Sequence, residues 1–339
     1  MRIGIITPAP PGSLYGNRVT ANRWARILRG LGHRVFIAQT YSGQPADLLI
    51  ALHARRSAKS IHDYRRRHPH NPLIVALTGT DLYGDLDRNE KAQRSLDCAT
   101  LIVALQERAL DRLPSKWRKK TRIVNQSVAA SKRKGSRVSP RRFDVCVIGR
   151  LRPVKDPFRA AMAARLLPAS SRIRVVHAGG AINRTQRERA LREMASNQRY
   201  HWLGELPRAQ VHGVLSRSTL FVISSRAEGG ANALGEAIAA GLPVLASRIP
   251  GSVGIIGDDY PGYFEVGDTR QLSRLMSRCE AEPRFLADLQ ARCQGVAELF
   301  DPSREEAAWA ALLTEAASPA LDPKKGEAAE AIHGDARFK

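Results

Sequence analysis

The sequence predicts an α/β protein built from two Rossmann-like, doubly wound domains. Three observations carry this. Short apolar runs alternate with amphipathic stretches through the first 125 residues, as in a parallel sheet covered on both faces. The same alternation restarts at FDVCVIG (143–149), after a polar and basic stretch at 129–142 that reads as a linker. The 339 residues and 43% apolar fraction suffice for two cores.

In the first domain, 1–128, the predicted strands are RIGII, RVFIA, DLLIAL, PLIVAL, TLIVAL and RIV (122–124). Asn17 reads as the N-cap of a helix with Val19, Trp24, Ile27, Leu28 and Leu31 on one face, closed by Gly30 and Gly32. Further helices are expected around 54–67, 88–97 and 105–113. The second domain, 143–300, offers the strands FDVCVIG, RIRVVHA, YHWLG, LFVISS and LPVLAS. Its helices are expected around 157–167, 183–195, 207–217, 232–240, 268–280 and 282–298. A helix at 302–317 is expected to cross back to the first domain. The Ala/Pro/charge-rich residues 318–339 are expected to be disordered. The two domains are expected to face each other across a cleft.

Charge is uneven. The chain carries 54 Lys+Arg against 32 Asp+Glu, a net +22. Residues 1–142 hold 28 basic and 9 acidic side chains, whereas 143–339 hold 26 and 23. Aromatics are only 6%, and no stacking run or recognition motif interleaves with the charge, so a nucleic-acid partner is not expected. No apolar run reaches 18 residues, which argues against membrane insertion. MRIGIITPAPPG is too short an apolar run for a signal peptide, so a cytoplasmic location is expected. Cys98, Cys146, Cys279 and Cys293 form no CxxC pair, so reduced structural thiols are expected rather than a zinc or redox site. No feature specifies an oligomeric state.

Ligands of open α/β sheets bind beyond the C-terminal strand ends, and those ends hold the unusual residues. The loop after the first strand, TPAPPGSLYGN, has Gly12 and Gly16 for close backbone approach; a rigid Pro-rich turn is the plain alternative. It is not GxGxxG, so no dinucleotide fingerprint is present. GRLRPVKDP places Arg150, Arg152 and Lys155 after the 143–149 strand, a fork and a point charge suited to phosphate, or a solvated basic turn. SSRAEGGANALGE is the strongest segment. Glu228 and Glu236 flank Gly229, Gly230, Ala231 and Asn232, with Asn232 as the expected helix cap. Glu236, one turn in, could accept from two vicinal hydroxyls. In the first domain, DLLIAL ends in His53, Ala54, Arg55 and Arg56, and PLIVAL ends in Thr78, Gly79, Thr80 and Asp81. A structural His and a turn-capping Asp are the plain alternatives there. Gln126 and Ser127 complete that edge.

These residues together resemble the retaining GT-B glycosyltransferases of family 4, over about residues 1–315. The resemblance implies that Glu228 and Glu236 bind a nucleotide sugar, with Glu236 on the ribose. Arg150 and Lys155 correspond to the residues holding the diphosphate. WLGELP corresponds to the turn reading the base, around Glu205 and Leu206. The Gly12–Gly16 loop corresponds to the one that closes over the donor. The family uses no catalytic metal, and no cofactor is implied.

Longer blocks, among them PAPPGSLYGNRVTANRWARILR, VALTGTDLY, LLPASSRIRVVHAG and ASRIPGSVGIIGDDYPGYF, are similar to the bacterial selenosugar synthases of selenoneine biosynthesis. That similarity implies a UDP-sugar donor, typically UDP-N-acetylglucosamine, and selenophosphate as acceptor. The product would be a 1-selenosugar, with release of UDP and phosphate, and a selenophosphate synthetase would be the functional neighbour. His53 and Asp81 would then orient the donor sugar. Arg18, Arg55, Arg56, Thr78 and Thr80 would hold the acceptor. A cationic first half would steer a small polyanion inward. An anionic selenium nucleophile also needs no general base. The competing expectation is a conventional family-4 O-glycosyltransferase acting on a lipid-linked or polysaccharide acceptor. It would use the basic half to dock at a membrane, although the basic stretch 54–67 lacks exposed large apolar residues.

Overall fold

A computed structural model describes residues 1–84, 86–129 and 141–318. Most of the expected linker (130–140) and almost all of the expected tail (319–339) lie outside the described residues. The chain divides into two units.

The first unit comprises Met1–Leu105, Leu110–Val124 and the chain from Ser303. Its strands are β1 (Arg2–Ile6), β2 (Arg34–Ala38), β3 (Leu48–Leu52), β4 (Leu73–Ala76), β5 (Leu101–Ala104) and β6 (Thr121–Ile123). All pair in parallel, in the order β2-β1-β3-β4-β5-β6. β3, β4 and β5 are buried at every residue, which is why they read as unbroken apolar runs. The helices are α1 (Gly16–Gly30), α2 (Ala58–Arg67), α3 (Glu90–Cys98) and α4 (Ser115–Arg118).

Three boundaries differ from expectation. Tyr15, not Asn17, is the N-cap of α1, and no side chain caps that end. α2 starts four residues later than expected. His53 adopts a left-handed φ of 75°, and the Ala54 N–H is held by Asp81 (2.9 Å), so 54–57 turn before the helix begins. The 105–113 stretch makes only a 3₁₀ turn, Glu107–Arg112, because Pro114 bars helical geometry at the residue before it.

The second unit comprises Gln106–Ala109 and Asn125–Pro302. Its strands are β7 (Phe143–Ile148), β8 (Ile173–Ala178), β9 (Tyr200–Trp202), β10 (Leu220–Ile223), β11 (Val244–Ser247) and β12 (Tyr263–Phe264). They form a second parallel sheet, β12-β11-β10-β7-β8-β9. Its helices are α5 (Arg159–Ala164), α6 (Arg184–Ser196), α7 (Arg208–Arg217), α8 (Asn232–Ala239), α9 (Pro250–Ile256), α10 (Thr269–Ala281) and α11 (Pro283–Gly295). α9 and β12 were not expected. One is a single short helix with two glycines, and the other is two residues long, so neither carries a usable period. Counted from β7, the order is the 3-2-1-4-5-6 arrangement of dinucleotide-binding sheets, with its reversal between β7 and β10. In the first unit the reversal falls between β1 and β3.

α12 (Pro302–Ala316) packs in the first unit. Its Trp309 stacks edge-on against Trp24 of α1, with ring centroids 4.8 Å apart. Buried Glu305 accepts from Trp24 Nε1 (2.8 Å) and from Arg23 Nε (3.2 Å). Asn125–Val128 group with the second unit, where Val128 N donates to Phe300 O (2.9 Å). Gln126 and Ser127 are buried and fall in that same group. All four cysteines are free thiols. Among the described residues, no helix is long and apolar enough to cross a membrane.

Candidate active site

The sheet reversal in the second unit brings the ends of β7 and β10 side by side. After β7 the chain runs through Gly149 and Arg150 into a 3₁₀ turn, Pro153–Lys155, closed by Asp156 in left-handed geometry (φ 43°). After β10 come Ser224, Ser225, Arg226 and Glu228. Backbone and hydroxyl bonds stitch the two segments together. Arg226 N donates to Val154 O (2.8 Å), and Ser224 Oγ donates to Asp156 O (2.9 Å). Across this seam Lys155 Nζ meets Glu228 Oε1 at 2.5 Å. Ser225 Oγ donates to the same oxygen at 2.5 Å, and the Ser225 carbonyl accepts from Ser247 Oγ, also at 2.5 Å.

Glu228 is also fixed from its other side. A Cβ at Gly251, in the first turn of α9, would collide with the Glu228 carbonyl. The Glu228 side chain is 8% exposed and that of Lys155 is 32% exposed. The carboxylate is thus a backing group, and the ammonium is the charge a solvent-borne anion can reach.

Gly229 and Gly230 are buried and lead into α8. The N-cap of α8 is Ala231, not Asn232, and it adopts φ 38° without a side-chain cap bond. A non-glycine residue in this region costs roughly 1–2 kcal/mol. Leu234 N and Gly235 N both donate to the Ala231 carbonyl (2.7 and 3.2 Å), which places Asn232 inside the helix. Glu236 follows one turn on, half-buried. Glu205 is exposed after β9 and lies over Gly180, while Leu206 packs on the core.

The strand ends of the first unit form a separate cluster. Asp81 is fully buried and accepts three backbone N–H groups: Ala54 to Oδ2, Thr78 and Gly79 to Oδ1, each at 2.9 Å. It therefore ties the end of β3 to the loop after β4. His53 is 2% exposed, and its Nδ1 lies 3.8 Å from Asp81 Oδ2. That nitrogen accepts from Arg56 N (3.3 Å), so the ring proton sits on Nε2 and points to Thr80 Oγ1 (3.1 Å). Burial pushes the His53 pKa down; Asp81 opposes this, and Arg56 and Arg55 add to it. His53 is thus bonded both to Arg56 in its own loop and to Thr80 in the loop after β4.

Arg18 also differs from expectation. It is buried, with Nε on Pro10 O (3.1 Å) and Nη2 on Ala9 O (2.6 Å), so it clamps the Pro-rich loop rather than standing open to an acceptor. In that loop Gly12 takes φ 72° and is exposed, and Gly16 is the first residue of α1. Arg56 is exposed; Arg55, Thr78 and Thr80 are half-buried. Among the described residues, no group of three or more His, Cys, Asp or Glu side chains is placed to hold a metal ion.

Three residues at the ends of β10, β8 and β9 escaped sequence reasoning: Ser225, His177 and Trp202. The first two sit in apolar strand contexts. A buried polar residue within two positions of a strand end was the available signal.

Residues 129–294 match the family model of the glycosyl transferases group 1. The matched stretch is just under half of the chain and takes in almost all of the second unit. Glycosyltransferase 1 domain-containing protein 1 of Xenopus tropicalis is 25% identical over 301 residues, covering 80% of this chain and 87% of that protein. Among solved structures, Anabaena HepE in complex with UDP and glucose superposes with a TM-score of 0.72 at 16% identity, covering 93% of this chain and 99% of HepE. Sucrose-phosphate synthase of Thermosynechococcus elongatus gives 0.73 at 14% identity, covering 93% and 98%. At these identities the likeness is one of fold: the chain has the GT-B fold.

Proposed function

We propose that this glycosyltransferase joins the sugar of UDP-N-acetylglucosamine to selenophosphate. The observation that carries a nucleotide-sugar site is the Lys155–Glu228 pair at the sheet reversal, where Lys155 is presented on a buried carboxylate. HepE, similar in fold, was solved with UDP and glucose. The acceptor reading rests on the sequence blocks shared with selenosugar synthases and on the 28 basic against 9 acidic residues of 1–142, which would steer a small polyanion.

In this reading Arg150 and Lys155 hold the diphosphate and neutralise it as it departs. Glu236 accepts from the ribose hydroxyls, and the Glu205–Leu206 turn meets the base. Gly229, Gly230 and Ala231 let the backbone approach the donor. Arg55 and Arg56 are the cations assigned to the acceptor phosphate. Selenium attacks the anomeric carbon with its lone pair, and the C–O bond to UDP breaks with the pair leaving on UDP. Water then hydrolyses the Se–P bond, its hydroxyl going to phosphorus and its proton to selenium.

The test is incubation with UDP-N-acetylglucosamine and fresh selenophosphate, read by UDP release and the selenium isotope pattern in mass spectra. A selenosugar that disappears in Glu236→Ala and Arg150→Ala is the expected result. UDP-sugar binding without selenosugar would overturn the acceptor and return it to a lipid-linked or polysaccharide hydroxyl.

A further inference from the structure

The ends of β7, β8 and β9 carry one hydrogen-bonding step twice. Val147, His177 and Trp202 lie side by side across the sheet, paired in register. His177 Nε2 reaches Gly149 O (2.9 Å), two residues beyond Val147 and just past the end of β7. Trp202 Nε1 reaches Gly179 O (2.8 Å), two residues beyond His177. A ring nitrogen facing a carbonyl must carry the proton, so His177 is the Nε2–H tautomer. Its Nδ1 then accepts from Tyr200 OH (2.9 Å). His177 is fully buried, and burial pushes its pKa down to about 4, against the bond to the Gly149 carbonyl. The ring therefore stays neutral, and a donor, at neutral pH. Gly179 is pressed so closely on this feature that a Cβ there would collide with the Gly149 carbonyl.

A trans peptide points its N–H opposite to its C=O. Drawing the Gly149 carbonyl toward His177 directs the Arg150 N–H the other way and fixes where the Arg150 backbone leaves the strand. Drawing the Gly179 carbonyl toward Trp202 does the same for Gly180, whose own carbonyl accepts Leu151 N (2.9 Å). Both sides of the Arg150 turn are thereby held by aromatic N–H donors that the sheet register delivers.

We infer that His177 and Trp202 are positioning residues for the diphosphate, acting through the Gly149 and Gly179 peptides rather than by touching the ligand. The inference rests on the reading of Arg150 and Lys155 as the diphosphate site. It assigns a cost to specific donors: removing either N–H should weaken UDP binding and leave uridine binding unchanged, because only the diphosphate meets the turn.

The experiment is calorimetric titration of the full chain with UDP and, separately, uridine. The proteins are wild type, Trp202→Phe, His177→Leu, His177→Gln, Arg150→Ala and Val175→Ala. Trp202→Phe and His177→Leu should each raise the UDP Kd about tenfold, with the uridine Kd within twofold of wild type. His177→Gln, which retains an amide donor, should recover at least half of that loss on a logarithmic scale. Val175→Ala, a buried change on the same strand, should lower Tm while leaving both affinities in place. If His177→Leu does not fold, Trp202→Phe alone carries the comparison. Loss of UDP affinity in Arg150→Ala but not in Trp202→Phe and His177→Leu would overturn this inference alone. An equal loss for UDP and uridine, or an equal loss in Val175→Ala, would reduce both rings to ordinary core packing. Unchanged UDP binding in Arg150→Ala would instead overturn the site reading beneath it.

Discussion

Acidification should destabilise the second unit through His177 by a calculable amount. The imidazole is wholly buried, and its pKa is pushed down to about 4 from an ordinary value of about 6.5. The unfolded chain takes up this proton first. Stability from the neutral ring is therefore complete above about pH 6.5 and is lost as pH falls from there toward 4. At about 1.4 kcal/mol per pK unit, the total loss is about 3 kcal/mol. Carboxylates elsewhere also respond to acid, so the measurement is a difference between wild type and His177→Gln, which has no proton to gain. Trp202 is the second unit's single tryptophan, so 5-fluorotryptophan labelling and fluorine NMR in urea follow that unit by itself. The stability gap between the two proteins should shrink by about 3 kcal/mol between pH 7 and pH 4. Parallel stability curves would refute the argument. So would a direct NMR titration of wild type in which the His177 ring gains its proton between pH 6 and 7.

Three further outcomes are expected. Lys155→Ala and Glu228→Gln should each lower kcat/KM for the UDP-sugar by about 100-fold, near 2.7 kcal/mol, because one breaks the charge and the other its backing; steady-state UDP release measures this. Glu305→Ala removes a buried carboxylate shared by Trp24 and Arg23 and should cost about 3 kcal/mol in urea unfolding of the first unit, read by the Trp24 and Trp309 fluorine signals. Ala231→Gly should stabilise the second unit by up to about 1 kcal/mol, since glycine takes φ 38° without strain; an unchanged or lower unfolding midpoint would contradict that reading of the loop.

The sequence by itself determined the two-sheet architecture. Strands such as LLIAL and LIVA are buried on both faces, and helix faces repeat with their own period, so burial writes both directly into residue order. It also brought forward Glu228, Lys155, Asp81 and His53, because polar residues at apolar strand ends stand out. Partnership was decided only by the tertiary structure. Lys155 and Glu228 are 73 residues apart and meet because the sheet order reverses between β7 and β10. Asp81 takes backbone donors from two loops, His53 points its proton at Thr80, and Arg18 turns back onto Ala9 and Pro10. The caps moved for a related reason. Tyr15 and Ala231 take positions that local preference assigns to Asn17 and Asn232, because loop packing sets where a helix begins. The His177 and Trp202 steps depend on strand register. Register is a relation between segments, and no single segment encodes it.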